Sequence, residues 1–232
     1  KKYKDQVSAK LDVKIGQVSG IFPRGGSPAV ERSGETEMGN YMADLVRAST
    51  KTQLAIINGG GIRDTFPAKT YTPADKTLVR PATGVTGPYD VTLGDALTVF
   101  PFGNYVATTK MTGADIWKAI ENGVSQYPSA GRFPQISGFK FAFDPAKAAF
   151  SRVTSIKTSD GKDIPNDGSV EFTVSTVDFM VSGGDGYVDV FHPTTAKIGG
   201  LLVDILVAGL KADLASGKVT QLPKLEGRIT KP

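Results

Sequence analysis

Three consecutive glycines stand beside one arginine in the segment INGGGIRD at residues 57–64. Glycine costs about 0.5–1 kcal/mol relative to alanine in regular structure, so such a run needs a backbone path that side chains would block. A guanidinium beside exposed backbone N–H groups forms a convergent set of donors for a phosphate or carboxylate. The pattern therefore predicts an anion site around Gly60 and Arg63. The alternative is an ordinary strand-to-helix turn capped by Asn58.

A second glycine cluster, SGGDGY, occupies residues 182–187 and follows Phe179 closely. One interpretation is a tight hairpin or bulge. The other makes Asp185 an acceptor for sugar hydroxyls, with glycines that let the backbone approach a ligand. Phe179 and Phe102 both stand in turn-like contexts, where a core phenylalanine is less expected, although the core remains the default for any single ring. Two such rings can clamp a flat base.

A third segment, RSGETEMGN at residues 32–40, precedes a run with helical spacing. Ser33 or Thr36 can cap that helix, and Glu35 and Glu37 would favour its positive end. These structural roles leave Arg32 unexplained. Most surface arginines are simply solvated, so an anion-binding role for this one needs support from elsewhere in the chain.

Side chains for catalysis are scarce in this sequence. His192 is the single histidine, cysteine is absent, and neither a HExxH motif nor a Walker loop occurs. A histidine-rich dinuclear metal centre and a cysteine nucleophile are therefore excluded, and we predict no catalytic residue and no metal site in this chain. We interpret His192 as an ordinary exposed side chain. Because nothing here can activate water as a metal-bound hydroxide does, we expect the chain alone to be inactive as a phosphatase.

The composition is that of a globular protein of 232 residues, 40% of them hydrophobic and 22% charged. The net charge of +4 is small and scattered, so we do not expect a nucleic-acid partner, although Lys69, Lys76 and Arg80 leave that alternative open. The longest apolar run, at 198–210, is interrupted by Asp204 and is too short and polar for a membrane span. The chain opens with KKYKD and has no starting methionine, which indicates a piece of a longer polypeptide.

Periodicity predicts the elements that would position these residues. A turn-rich excursion is expected over 65–91 and a Gly/Pro/Ser-rich loop up to Pro28. Strands are predicted at 11–18, 54–57, 105–111, 139–143, 152–157, 170–177 and 226–230, and helices at 36–49, 92–97, 113–126 and 198–215. Regular βαβ alternation is missing, which favours an α+β fold of mixed sheets with packed helices over a doubly wound sheet.

Four motifs together resemble the C-terminal domain of the 5'-nucleotidase/UDP-sugar hydrolase family. In chain order they are RSGETEMGN, NGGGIR, PFGN and the stretch from Phe179 through GGDG, and the resemblance runs from about residue 12 to 230. It implies that residues 1–232 form a single 5'-nucleotidase C-terminal domain. It also implies an N-terminal metallophosphoesterase domain, absent from this chain, which carries two divalent metal ions and the chemistry.

The same resemblance implies a substrate-binding set for a nucleotide or nucleoside ligand. Its members are Arg32, Asn58, Gly60, Arg63, Phe102, Phe179 and Asp185. The two arginines would hold phosphate, and the two phenylalanines would stack on the base from opposite sides. The aspartate would take the ribose hydroxyls, the asparagine would contact the base or nearby atoms, and the glycines would let the chain turn closely under the ligand.

The expected function is therefore nucleotide recognition for a metal-dependent phosphohydrolase of nucleoside 5'-monophosphates or related phosphate esters. The alternatives are a stand-alone nucleotide-binding module without catalysis and a domain of an extracellular nuclease or cyclic phosphodiesterase. The resemblance implies a secreted, periplasmic or cell-surface location, with the metallophosphoesterase domain of the same polypeptide as partner. Family members often carry asparagine where this chain has Asp178 and Ser182, and the extra carboxylate could change base preference. The excursion before Val91 also looks longer than usual.

Overall fold

The computed structural model describes residues 9–24 and 29–232, so the last part of the predicted loop, at 25–28, and the charged start of the chain lie outside it. The described helices are α1 to α5 in chain order: Glu37–Thr50, Leu93–Val99, Gly113–Val124, Asp178–Val181 and Leu202–Ala215. The described strands are β1 to β10: Lys14–Val18, Leu54–Asn58, Tyr89–Thr92, Tyr105–Thr112, Pro134–Ser137, Phe139–Phe143, Val153–Thr158, Glu171–Val177, Lys197–Leu201 and Ile229–Thr230.

A five-stranded sheet in the order β5-β2-β8-β4-β9 forms the centre of the fold. Strand β2 runs parallel to β8 and antiparallel to β5, while β4 is antiparallel to both β8 and β9. Smaller sheets combine β10, β6 and β7, and β1 with β3. Every residue of β2 is buried, as its apolar sequence LAIIN predicts for a central strand. The predicted α+β class with mixed sheets is confirmed.

Helix α1 covers the central sheet with its apolar face. Of the two predicted caps, Ser33 and Thr36, the structure uses Thr36, because its hydroxyl oxygen accepts the Gly39 N–H at 3.0 Å. Met38, Met42 and Val46 are fully or almost fully buried beneath it. Glu35 stands directly before this cap and is hydrogen-bonded to other parts of the chain. Its carboxylate accepts from the Asn40 amide and from the backbone N–H groups of Glu226 and Arg228 at 2.7–2.8 Å, which ties the C-terminal segment to this helix.

Local capping also fixes the starts of α2 and α3. Thr92 with Asp95, and Thr112 with Asp115, each form a reciprocal capping box. Thr112 is thus the N-cap of α3. The interpretation of His192 as an ordinary exposed side chain was wrong, because its Nε2 lies 3.0 Å from Asp115 Oδ2 and its side chain is only 40% exposed.

Several predicted boundaries differ from the structure. The helix predicted from 198 begins at Leu202, because KIGGL forms β9 on the free side of β4, and its two glycines disfavour a helix. The strand predicted from 11 begins at Lys14, after a helical turn at 9–11. Strands β3 and β5 were not predicted. The 65–91 excursion is not purely a surface loop, since Phe66 and Ala68 are buried and β3 lies at its end.

Candidate ligand-binding site

The sheet topology brings the sequence motifs to one edge of the central sheet. Strands β2 and β8 are parallel, so their carboxyl ends at Asn58 and Val177 meet there. Strand β4 is antiparallel to β8, so the segment PFGN that precedes it reaches the same edge. Strand β5 is antiparallel to β2, and Asn58 pairs with Pro134 near its start. Three motifs that are distant in sequence therefore become neighbours.

A cleft of about 480 Å³ opens at this edge. All seven predicted site residues line it: Arg32, Asn58, Gly60, Arg63, Phe102, Phe179 and Asp185. Gly61, Asn104 and Gly131 also line it, although sequence reasoning did not select them. Asn104 stands inside the quoted PFGN motif, which was the available signal. Gly131 stands directly before Arg132 and Phe133, a cation and an aromatic ring that sequence reasoning did not use as a signal.

The glycine run allows two backbone segments to approach each other closely. A Cβ on Gly59 would lie 1.8 Å from the Glu31 carbonyl oxygen, and one on Gly60 would lie 2.7 Å from Gly131 Cα. The run forms a 3-10 turn, Gly59–Gly61, between the segments that carry Arg32 and Gly131. The glycines are therefore required by protein packing as well as by the shape of the cleft.

The prediction that this turn offers a set of exposed backbone donors was wrong. The N–H groups of Gly59 and Gly60 donate to Phe133 and Gly131 carbonyls at 2.7 and 2.8 Å. The Ile62 N–H donates to Gly59, and the Arg63 N–H to the Val99 carbonyl. These four donors are satisfied within the protein, so an anion in the cleft would need other donors, such as cationic side chains.

Two arginines supply such side chains. Neither Arg32 nor Arg63 forms an ion pair with a carboxylate among residues 9–24 and 29–232. Arg63 is exposed, donates from Nη1 to the Gly60 carbonyl at 3.2 Å, and has its guanidinium carbon 5.5 Å from the centroid of the Phe102 ring. That distance fits a cation–π contact, which orients the guanidinium and leaves its other donors available.

Arg32 sits at the end of a short 3-10 helix, Val30–Arg32, that packs against the glycine turn. The buried Gln135 holds this turn by donating from Nε2 to the main-chain carbonyls of Glu31 and Gly34 at 3.1 and 2.8 Å. The neighbouring Glu31 carboxyl is buried, which raises its pKa, and it accepts from Arg24 Nε at 2.9 Å. Glu31 therefore pairs with Arg24 and leaves Arg32 without an acidic partner among the described residues.

Phe102 and Phe179 are 59% and 42% exposed, which is unusual for large apolar side chains. Gly184 lies against the Phe179 ring, since a Cβ added there would come within 2.4 Å of a ring carbon. Phe102 has the Arg63 guanidinium above it. Each ring is thus supported by a protein contact, while a large part of its surface faces the cleft and solvent.

Asp185 carries the carboxylate of the cleft and sits in a second 3-10 turn, Gly184–Gly186. The hairpin or bulge interpretation of GGDG was wrong, because α4 and this turn follow β8 directly. Asn58 Nδ2 donates to Asp185 Oδ2 at 2.8 Å, and Asn58 makes no side-chain capping bond. Asn58 therefore stands at the N-cap position of the glycine turn, as the capping alternative predicts, but its amide orients the Asp185 carboxylate instead of capping the turn.

The departures from the family pattern lie outside the cleft lining. Asp178 Oδ1 accepts the backbone N–H groups of Tyr105 and Phe179 at 3.1 and 2.8 Å, so its carboxylate fastens α4 to the start of β4. Ser182 is exposed. In the excursion, Lys76 donates to the Pro73 carbonyl and Arg80 forms a bidentate pair with Asp95. Two of the three cations that suggested nucleic acid thus have partners within the fold.

The sequence of this chain is similar to those of known proteins. Residues 14–193 match the model of the family described as 5'-nucleotidase, C-terminal domain. The chain belongs to this family. It is 33% identical over 207 residues to the trifunctional nucleotide phosphoesterase protein YfkN of Bacillus subtilis, covering 85% of this chain and 12% of that protein. It is 31% identical over 211 residues to the cell wall protein Lmo0130 of Listeria monocytogenes, covering 84% and 23%.

The fold of this 5'-nucleotidase C-terminal domain also occurs in a solved structure, that of a 5'-nucleotidase precursor from Thermus thermophilus. The two superpose with a TM-score of 0.80 at 30% identity, covering 99% of this chain and 41% of the other. The chain thus spans well under half the length of these three relatives.

Among the described residues, no three His, Cys, Asp or Glu side chains are grouped to hold a metal ion. No described helix combines the length and apolarity needed to cross a membrane.

Proposed function

We propose that this chain is the nucleotide-recognising domain of a metal-dependent phosphohydrolase that acts on nucleoside 5'-monophosphates or related phosphate esters. The observation that carries the proposal is the composition of the cleft. Two exposed phenylalanines, two arginines without carboxylate partners among the described residues and one oriented carboxylate line the same space of about 480 Å³. A nucleotide presents the matching groups, which are a flat base, an anionic phosphate and a sugar with hydroxyl donors.

Each side chain has a role in this proposal. Phe102 and Phe179 stack on the base, which is worth about 1–3 kcal/mol per base and tolerates different bases. Arg32 and Arg63 form charge-assisted hydrogen bonds with phosphate. Asp185 accepts from the ribose hydroxyls.

The chemistry is proposed to come from a second part of the same polypeptide. In this proposal an N-terminal metallophosphoesterase domain carries two divalent metal ions, which activate water and polarise the phosphate. The residues of this chain do not fit those ions, since a single histidine and no cysteine are present and no suitable group of ligands occurs in the described ranges. Its own residues bind and orient the ester. We also propose an extracytoplasmic location, which the similarity to a cell wall protein supports.

Calorimetric titration of the 232-residue chain with adenosine and AMP tests this function. We expect affinities near the millimolar range, because a net gain of about 4 kcal/mol corresponds to that value. Phe179→Ala should weaken both ligands about tenfold, through loss of stacking. Arg63→Ala should weaken AMP more than adenosine, because only AMP carries the phosphate, whereas both ligands lose the Arg63 contact that supports Phe102.

Phe150→Ala is the matched control, since Phe150 is 64% exposed and does not line the cleft. It should leave both affinities unchanged. The proposal fails if neither ligand binds at millimolar concentration, or if Phe179→Ala and Phe150→Ala have the same effect.

A further inference from the structure

The backbone of Asp185 adopts a conformation that needs support. Its φ of 56° and ψ of 23° place it in the left-handed region, which residues with a Cβ rarely adopt. Gly183, two residues before it, and Gly186, directly after it, also have positive φ. A carboxylate on such a turn keeps one direction only if neighbouring groups hold both its side chain and its main chain. Asn58 holds the side chain, as described above.

Asn122, on helix α3, holds the main chain of Asp185. This asparagine is 6% exposed and donates from Nδ2 to the Asp185 carbonyl oxygen at 3.2 Å. Its Oδ1 accepts from Arg132 Nη1 at 3.1 Å. Because an arginine only donates, it fixes the orientation of the amide, so that Nδ2 has to face Asp185.

Arg132 holds the same turn in a second way. Its main-chain carbonyl accepts the hydroxyl of the fully buried Tyr187 at 2.7 Å, two residues after Asp185. Its Nη1 also donates to Ser125 Oγ at 3.2 Å. A Cβ on Gly186 would lie 3.1 Å from Arg132 Nη2, so the turn packs directly on the guanidinium. Arg132 therefore joins α3 to Gly186 and Tyr187, the two residues that follow Asp185.

We propose that Asn122 and Arg132 are positioning residues that set the direction of the Asp185 carboxylate and thereby the preference of the site for ligands with free ribose hydroxyls. This inference rests on the proposed function. Neither residue lines the cleft, so they act through Asp185. The two stacking rings are not bonded to them, so preference for the sugar is separable from affinity for the base.

Two substitutions of Asn122 separate this role from general stability. Asn122→Asp keeps a partner for Arg132, but it replaces the donor that faces the Asp185 carbonyl with an acceptor. Asn122→Ala removes the link without adding charge. Asn166→Asp is the charge-matched control, because Asn166 is exposed and lies outside the cleft lining. Thermal unfolding of each variant without ligand establishes that it is folded.

The experiment compares adenosine with 2',3'-dideoxyadenosine, which lacks both ribose hydroxyls, by calorimetry on the 232-residue chain. We expect the unmodified chain and Asn166→Asp to prefer adenosine about tenfold, the effect of one hydrogen bond to a charged group. Asn122→Asp and Asn122→Ala should lose this preference and keep their affinity for dideoxyadenosine.

Folded Asn122 variants that retain the full preference would overturn the positioning role and leave the proposed function intact. Folded variants that lose both ligands equally would also overturn it, because the base clamp should be unaffected. If the unmodified chain binds neither nucleoside, the proposed function fails and this inference with it. If it binds both equally, base recognition stands and the role of Asp185 and its supports is refuted.

Discussion

The cleft and the Arg80 anchor use the same residue types in opposite ways. We define the Arg80 anchor as Arg80 with Asp90 and Asp95. Its guanidinium donates to both carboxylate oxygens of Asp95 at 2.6 Å and to the Asp90 carbonyl at 2.9 Å. Asp95 is fully buried and also accepts from two backbone N–H groups. In the cleft, Arg32 and Arg63 have no carboxylate partner among the described residues.

The difference shows that an arginine indicates a ligand site only when no carboxylate of the fold pairs with it. In a bidentate pair, a buried carboxylate occupies the two guanidinium donors that a phosphate would otherwise bind. The Arg80 anchor therefore fastens the excursion to α2, whereas Arg32 and Arg63 have no carboxylate partner among the described residues. The comparison predicts that substitutions in the anchor affect folding and that those in the cleft affect binding.

The largest expected effect is that of Arg80→Met. Removing the guanidinium leaves the Asp95 carboxylate buried without its cation, and breaking a buried pair in this way costs about 3–5 kcal/mol. Arg63→Met should change the free energy of unfolding by less than about 0.5 kcal/mol, because Arg63 is exposed. Urea denaturation of both variants measures the two values. Similar losses of stability for both would refute the distinction between the two regions.

The elements that depend on neighbouring residues were predictable from the sequence. The caps of α1 and α3 are read within four residues, and the apolar run of β2 marks a central strand. Strand order could not be read this way, because β2 pairs with β5 and β8 from distant parts of the chain. The misassigned start of α5 has the same cause, since KIGGL becomes a strand only because β4 offers it a partner.

The residues that line the cleft could be predicted from the sequence, but the hydrogen bonds among them could not. All seven residues implied by the resemblance line one cleft, although their binding roles remain predictions. The bond from Asn58 to Asp185 spans 127 positions, so nothing near Asn58 indicated that its amide would hold a carboxylate. In the same way, the acceptors of the glycine N–H groups lie in the distant loop at 131–133. Residue type suggests what can bind, while tertiary contacts decide which groups remain free.

The next largest loss of stability is expected for Gly60→Ala, and the adjacent Gly61→Ala should cause a much smaller one. Gly60→Ala would place a Cβ 2.7 Å from Gly131 Cα, in a segment that the Gly60 N–H already holds at 2.8 Å. We expect a loss of about 2–3 kcal/mol from this overpacking. Gly61→Ala meets only Asn58 Oδ1 at 3.5 Å and should change stability by less than about 0.5 kcal/mol. Thermal or urea unfolding compares them, and equal losses would show that packing against Gly131 is not the constraint.

Two adjacent residues of the INGGGIRD motif differ in the same way: Arg63 lines the cleft, and Asp64 fastens the excursion that also carries the Arg80 anchor. Its carboxylate accepts the Thr65 N–H at 2.7 Å and both the N–H and hydroxyl of Thr70 at 2.9 and 2.5 Å. Burial alone would raise the pKa of Asp64, but hydrogen bonds from Thr70 and Thr65 outweigh it and hold the pKa below its ordinary value of 3.8. Asp64 thus fastens the start of the excursion, while the adjacent Arg63 faces the cleft.

The smallest expected effect, and the one with a pH signature, is that of Asp64→Asn. The amide places a donor against groups that already donate, so we expect a loss of about 1–2 kcal/mol at pH 7. Because the folded pKa is lowered, the ionised carboxylate stabilises the fold above the ordinary pKa, and this contribution disappears as the pH falls through the folded value. Unfolding of both proteins between pH 7 and pH 3 should therefore show the difference shrinking at the acid end. Asp167→Asn, at an exposed carboxylate, serves as control and should have the smaller effect. A pH-independent loss of stability in Asp64→Asn would mean that the charge of the carboxylate does not hold the excursion. Packing alone would then have to explain how Asp64 fastens it.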